Sequence, residues 1–342
     1  MTLQHILLIG VLLTALYLAV VLQLFIVRFT NAVKARRRER IEREWLPLLA
    51  ADADVSDAPL PELRHRDIVP FLTLWNQLQE SFVGDIKTHL NAVGRRVGIK
   101  GISHRLLEGG RLSERLIAVS TLGHLGDRDS WDALVRMTSH EDGLLSLAAA
   151  RALTRIDDAA ALPVILPLAA SRDDWSRNYV LGMLSDVGAD IVSGPLTEAA
   201  LMLPPDTAHR LVQYFTVAHV GDAVPVVRTI IGRTRNVECL AACLRAFADV
   251  DHLDTVRDYL QHPAWQVRVQ AVNVLGRLGS TDDVKAILPL LSDPEWWVRY
   301  RAAKTLCALP DVELSMLRSL STQHDDAFAR DMLVHVLAEA RA

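Results

Sequence analysis

Glu295-Trp-Trp-Val-Arg-Tyr-Arg-Ala-Ala-Lys-Thr-Leu306 recurs in disguise along most of the chain. Its Ala302 belongs to a series formed by Ala118, Ala149, Val180, Leu211, Ala241, Ala271, Ala302 and Leu333, with successive spacings of 31, 31, 31, 30, 30, 31 and 31 residues. One helical turn after these stand Leu122, Leu153, Leu184, Phe215, Leu275, Leu306 and Leu337; the fifth unit has Arg245 there, with Leu244 one place early. A small residue followed by a large one a turn later marks one face of a helix, and the near-constant period makes that helix a repeated unit.

Each period holds a second apolar stretch, such as Trp131-Asp-Ala-Leu-Val-Arg-Met137, Leu162-Pro-Val-Ile-Leu-Pro-Leu168 or Val284-Lys-Ala-Ile-Leu-Pro-Leu-Leu291. Between the two helices lie Leu122-Gly-His-Leu-Gly-Asp127 and Leu275-Gly-Arg-Leu-Gly-Ser280, punctuation expected to stop one helix and cap the next. Pro163, Pro195 and Pro225 are expected near the start of the second helix, where a missing amide hydrogen costs little. A lone hairpin cannot bury its apolar stripe, whereas stacked hairpins bury it jointly. The pattern therefore predicts an all-α solenoid of about eight helical hairpins over residues 101–342.

The acidic turn, Val-Arg, Ala, Leu order is legible in Asp293…Val298-Arg299…Ala302…Leu306 and in Val267-Arg268…Ala271…Leu275. It resembles the HEAT family, particularly its short, phycobilisome-lyase-like repeats of roughly thirty residues. Arg115, Arg177 and Arg330 match in part, while Ser146, Ala208 and Glu238 depart from the pattern. The resemblance implies a right-handed solenoid. It also implies a structural ladder in which Arg177, Arg268, Arg299 and Arg330 bond to inter-helix acids such as Asp293, with ligand binding as the alternative role.

The N-terminus is different. No charged residue occurs from Leu3 to Val27, and such a helix would span roughly 37 Å, enough to cross a bilayer core of about 30 Å. A cleavable signal peptide would want a basic start and a shorter apolar run, so residues 1–27 read as a retained transmembrane anchor. Arg28, Lys34, Arg36, Arg37, Arg38, Arg40 and Arg43 all follow the span. The positive-inside rule puts the N-terminus outside and the rest in the cytoplasm, as expected at a bacterial inner membrane. Residues 28–50 read as a basic juxtamembrane helix that stops transfer or touches anionic lipid. Residues 51–62, rich in Asp, Ala and Pro, read as a linker, and 63–100 as a helical cap with Phe71, Leu72, Trp75, Leu78 and Phe82 on one stripe.

Composition narrows the function. Residues 1–44 carry seven Lys or Arg against three Glu, so a net charge of −4 leaves −8 on the remainder. An acidic body is unsuited to nucleic acid. Cys239 and Cys243, one turn apart, and Cys307 read as buried small hydrophobes in a reducing compartment, since a metal site would need further ligands. His140-Glu141 is a lone dyad of the kind that di-iron hydroxylases of this fold repeat. Phosphate loops and spaced nucleophile–base pairs are missing. No catalytic, metal or cofactor residue is assigned, and a metal-dependent or lyase-like HEAT enzyme is the alternative to a scaffold.

The aromatics suggest where a scaffold would bind. Trp175 and Trp297 stand two places before the repeat's Arg position, and Trp265 and Trp296 three places before it. They are expected along one edge, as wedges between repeats or as docking anchors, with Tyr300 and Arg301 in the rim. The span, the repeats and the WWVRYRAA signature also resemble HEAT proteins that accompany membrane glycosyltransferases in bacterial exopolysaccharide systems, which implies a protein partner in such machinery.

Overall fold

The computed structural model describes residues 3–50, 59–310 and 312–339, without the side chains of 3–16, 18–19, 26–27, 31 and 205–206. Among the described residues every regular element is helical, and the chain forms two compact units, residues 1–156 and 157–342. Unit 1 holds α1 (Leu3–Leu49), α2 (Ile68–Ser81), α3 (Asp85–Val97), α4 (Ile99–Gly109), α5 (Leu112–Leu125), α6 (Trp131–Thr138) and α7 (Gly143–Ile156). Unit 2 begins with α8 (Asp158–Ser171), α9 (Arg177–Val187), α10 (Ala189–Met202), α11 (Pro205–Val212), α12 (Val220–Arg233) and α13 (Val237–Ala246). It continues through α14 (Leu253–Asp258), α15 (Trp265–Leu278), α16 (Val284–Ile287), α17 (Trp296–Ala308), α18 (Leu314–Gln323) and α19 (Ala327–Glu339).

The expected anchor is the first half of α1, and most of its side chains lie outside the described residues. Among the described residues no helix is long and apolar enough to cross a membrane. Residues 51–58 of the expected linker likewise lie outside them.

The second half of α1 belongs to the cap. Ile41, Trp45 and Leu49 recur every four residues and are buried with Phe71, Leu72 and Trp75 of α2, Leu90 and Val93 of α3, and Ile99. Trp45 meets Phe71 edge-on at 4.5 Å between centroids, and Trp75 donates its indole N–H to the Leu90 carbonyl at 2.9 Å. Arg40 pairs with the buried Asp67 at 2.6 Å, fixing α1 to the start of α2. A division at residue 50 thus separates two parts of one core, and a chain cut at Pro61 would uncover the Phe71 face.

The repeat register is carried by burial. All eight positions of the Ala302 series are buried, five as Ala and the others as Val180, Leu211 and Leu333, and so are the large partners, including Leu244 while Arg245 is exposed. The two glycines of each Leu-Gly-X-Leu-Gly segment do different work. Gly126 ends α5 in the left-handed region at φ +63°. Gly123 lies inside α5, where a Cβ would stand 2.8 Å from Ala152 Cα of α7; at Gly276 it would meet the side chain of Thr305 in α17, 2.9 Å from Oγ1. These glycines set how closely successive helices approach.

The prolines correct the sequence reading. Pro163, Pro195 and Pro225 lie inside α8, α10 and α12, beyond the first turn, because those helices begin earlier than expected. Asp157 starts α8 by accepting a hydrogen bond from the Ala160 amide at 3.1 Å. Each proline therefore removes one internal hydrogen bond, which burial of neighbours such as Leu162, Ile165 and Leu166 must offset.

His124 gives unit 1 a pH dependence. Its ring is buried edge-on to Trp75 and accepts a hydrogen bond from Arg155 at 3.0 Å. Burial first, then the charges of Arg155, Lys87 and Arg151, push its pKa down to about 3, so it is neutral and its 3.8 Å approach to Glu80 is no charge pair. Unfolded, the same group protonates near 6.5. The unfolded chain thus binds the extra proton between those values, and stability is complete above pH 6.5 and falls below it. Denaturant titrations from pH 7 to 5 should show a loss of up to about 1.4 kcal/mol per pH unit, which His124→Gln should remove. An unchanged slope in that variant contradicts the assignment.

Candidate functional site

The Val-Arg positions build the site's floor. Val267 and Val298 are buried beneath their helices, which turns the neighbouring Arg towards the preceding loop. Arg268 donates from Nη1 to the carbonyls of His262 and Pro263, at 2.8 and 3.0 Å. Arg299 repeats this on Asp293 and Pro294, at 2.7 and 3.0 Å, and Arg330 on His324 and Asp325. Arg268 alone completes a rung: its Nε and Nη2 donate to the two carboxylate oxygens of Asp293, both at 2.8 Å. Arg177 is exposed and joins none of these bonds.

The break in the ladder has a cause in the sequence. One period after Asp293 stands His324, whose Nδ1 accepts the Asp326 amide, as Asp293 accepts that of Glu295. The turn is preserved but the carboxylate is gone. Arg299 Nε is buried without a hydrogen-bond partner, and its guanidinium lies 5.3 Å from the Phe328 ring centroid. An unpaired charged donor of this kind is costly to keep away from water.

Beside this donor opens a groove of about 280 Å³ lined by Trp296, Arg299, Phe328, Asp331, Met332 and His335. Trp296 and Trp297 are 43% and 51% exposed, far more than a core tryptophan. Trp296 stacks on Tyr300 at 5.1 Å and meets Trp297 edge-on at 4.8 Å. Tyr300 is held in turn: its hydroxyl donates to Glu339 at 3.0 Å, and Lys304 and Arg301 lie 5.4 and 5.9 Å from its ring. The result is a stiff aromatic shelf on α17, backed by α19.

Of the residues singled out from the sequence, Trp296, Trp297, Tyr300 and Arg301 come together. Trp265 is half-buried at the start of α15, and Trp175 is buried beneath Arg172, as a packing wedge would be. Phe328, 67% exposed, was missed, although it stands two places before Arg330, where Trp175 and Trp297 stand in their repeats. Cys239 and Cys243 are buried, and the Cys243 thiol is pushed far above its usual range, first by its hydrogen bond with Cys239 and then by burial. His140 is taken up in a turn, accepting the Asp142 amide at 2.9 Å. Among the described residues no three His, Cys, Asp or Glu side chains are grouped to hold a metal ion.

Stacked hairpins sharing one small–large register define an α-helical repeat protein. The HEAT-repeat family model matches residues 99–184, 227–307 and 253–338, more than half of the chain, and the chain belongs to that family. Solved structures similar to it include the Escherichia coli protein YibA, 14% identical with a TM-score of 0.40 over 79% of this chain and 96% of that one. An engineered protein matches at 14% identity and TM-score 0.35, over 90% of this chain and 95% of its own. A structure concerning tubulin recruitment and assembly by microtubule polymerases with TOG domain arrays matches at 11% and 0.28, over 81% and 90%. No curated protein sequence matches. None of these matches bears on the resemblance to HEAT proteins beside membrane glycosyltransferases.

The ladder gap is testable by completing it. His324→Asp should give Arg299 the carboxylate that Arg268 already has and raise stability by about 1 kcal/mol, read as a higher melting temperature. A lower melting temperature would mean that the two turns are not equivalent.

Proposed function

We propose that this protein is a membrane-tethered, non-enzymatic adaptor that holds a protein partner along the α17–α19 edge. The single observation that carries the reading is the exposed Trp296–Trp297–Tyr300 shelf beside the unpartnered Nε of Arg299. Large, stiff aromatics next to an arginine are the residue types that dominate binding energy at protein interfaces. The partner's chemistry follows from the neighbouring repeat, where Asp293 fills the arginine fork. A partner segment with an acidic side chain next to an apolar one would supply that carboxylate to Arg299 while its apolar neighbour covers Phe328 and Trp296.

Tethering supports the same role by keeping a bound partner concentrated at the membrane. The charge-free run from Leu3 to Val27 and the exposed Tyr17, Leu22, Leu24, Phe25 and Phe29 on α1 support an anchor. The basic residues that follow orient it, with the N-terminus outside and the repeats in the cytoplasm. Reporter fusions at the C-terminus should therefore read cytoplasmic; a periplasmic signal reverses the orientation.

Trp296→Ala separates docking from packing. Partner capture from membranes by the full chain should weaken by about 2 kcal/mol or more, with the melting temperature nearly unchanged. A buried wedge would instead cost about 3–5 kcal/mol of stability. Unchanged capture with a normal melt removes this edge from consideration.

A further inference from the structure

A second concave site lies in unit 1, far in sequence from the aromatic shelf. Three elements line a cleft of about 570 Å³: Lys34, Arg37 and Arg38 from α1, Arg66 and Thr73 from the start and middle of the α2 region, and Arg111 and Ser113 at the start of α5. Five of these are cations. The two carboxylates in the lining are already engaged: Glu42 accepts from Arg38 at 2.7 Å, and Glu114 accepts the Arg111 amide at 2.9 Å. Lys34, Arg37, Arg66 and Arg111 form no ion pair among the described residues.

The cleft is built to keep its shape. Arg40 is tied to the buried Asp67 next to Arg66, and the Ile41–Trp45–Leu49 face locks α1 onto α2 immediately below. Mutual repulsion among cations held this way favours an anion that several of them contact at once. The Ser113 hydroxyl adds a further donor, while the α5 N-terminus is already faced by the Glu114 carboxylate.

From this arrangement we infer that the α1–α2–α5 cleft binds a phosphate-bearing group, clamped between the juxtamembrane helix and the cap. Its position fits the headgroup of an anionic lipid, because α1 continues from the cleft into the exposed apolar side chains Phe29, Phe25 and Leu24. The chemistry is shared by soluble phosphate esters. The inference differs from a general attraction of basic residues to a membrane, since it requires Arg66 and Arg111, which lie outside the juxtamembrane run. It does not depend on the docking edge of unit 2.

Calorimetry on the full chain in neutral detergent tests it, with dihexanoyl phosphatidylglycerol, dihexanoyl phosphatidylcholine, glycerol 3-phosphate and inorganic phosphate as probes. Saturable binding of phosphatidylglycerol is expected. Arg66→Glu with Arg111→Glu should weaken it by at least about tenfold. Arg36→Glu with Arg43→Glu makes the same charge change outside the cleft and should alter it by less than about twofold. Helical signal and melting temperature establish that each variant is folded, and the milder Arg66→Gln with Arg111→Gln replaces the first pair if it is not. Binding of glycerol 3-phosphate or inorganic phosphate with the same variant pattern keeps the site and assigns it to a soluble ester or free phosphate. Equal weakening by both charge-reversal pairs, equal binding of phosphatidylcholine, or no saturable binding overturns the inference.

Discussion

The close approach of successive repeat helices is the constraint on which the rest of the structure depends. Where α5 meets α7 and α15 meets α17, the contact is made by a glycine on one helix and Ala152 or Thr305 on the next. At the α5–α7 contact a single methyl group is too large where Gly123 faces the Ala152 backbone, while Gly276 of α15 faces the side chain of Thr305. Buried Ala118, Ala149, Ala271 and Ala302 keep the same register. Stability in such a stack is approximately a sum over units and neighbouring interfaces, so the register has to be restored in each repeat.

Function can then enter as local departures from the repeat. In the turns before α15, α17 and α19 a side chain accepts the amide two residues on, and either Asp or His serves. Only Asp also satisfies the arginine of the previous repeat. Substituting His324 for the Asp293 type of residue keeps the fold and leaves Arg299 Nε unpaired beside exposed Trp296 and Phe328. In unit 1 the departure is an addition: the C-terminal turns of α1 bring Trp45 into the cap and their cations to the rim of a cleft. Each site is polar chemistry placed on a framework that apolar packing already holds.

Much of this was legible in the sequence, for a physical reason. Burial is periodic, and the small–large pair reports it directly, including the displaced Leu244. Capping and proline positions were less legible because a helix start depends on which side chain reaches which amide, as at Asp157. The role of α1 was partly hidden: charge dominates residues 34–44, while the buried Ile41, Trp45 and Leu49 are spaced among those charges. Four of the six residues singled out for docking meet on α17, whereas Trp175 is buried and Trp265 half-buried. The same repeat position can be wedge or anchor depending on what the next hairpin brings against it. Phe328 stands at the repeat position that carries Trp175 and Trp297, whereas the unpartnered Nε of Arg299 depends on what packs around it.

The most direct measurement of the close helix approach is one substitution made at two glycines. Gly182 is exposed on α9 with nothing within 4 Å of the added Cβ, so Gly182→Ala should stabilise by about 0.5–1 kcal/mol through helix propensity alone. Gly123→Ala makes the same chemical change against the Ala152 backbone and should destabilise by about 1–3 kcal/mol. Opposite shifts in denaturant midpoint at unchanged slope are the predicted result. Stabilisation at both positions would contradict the close approach of α5 and α7.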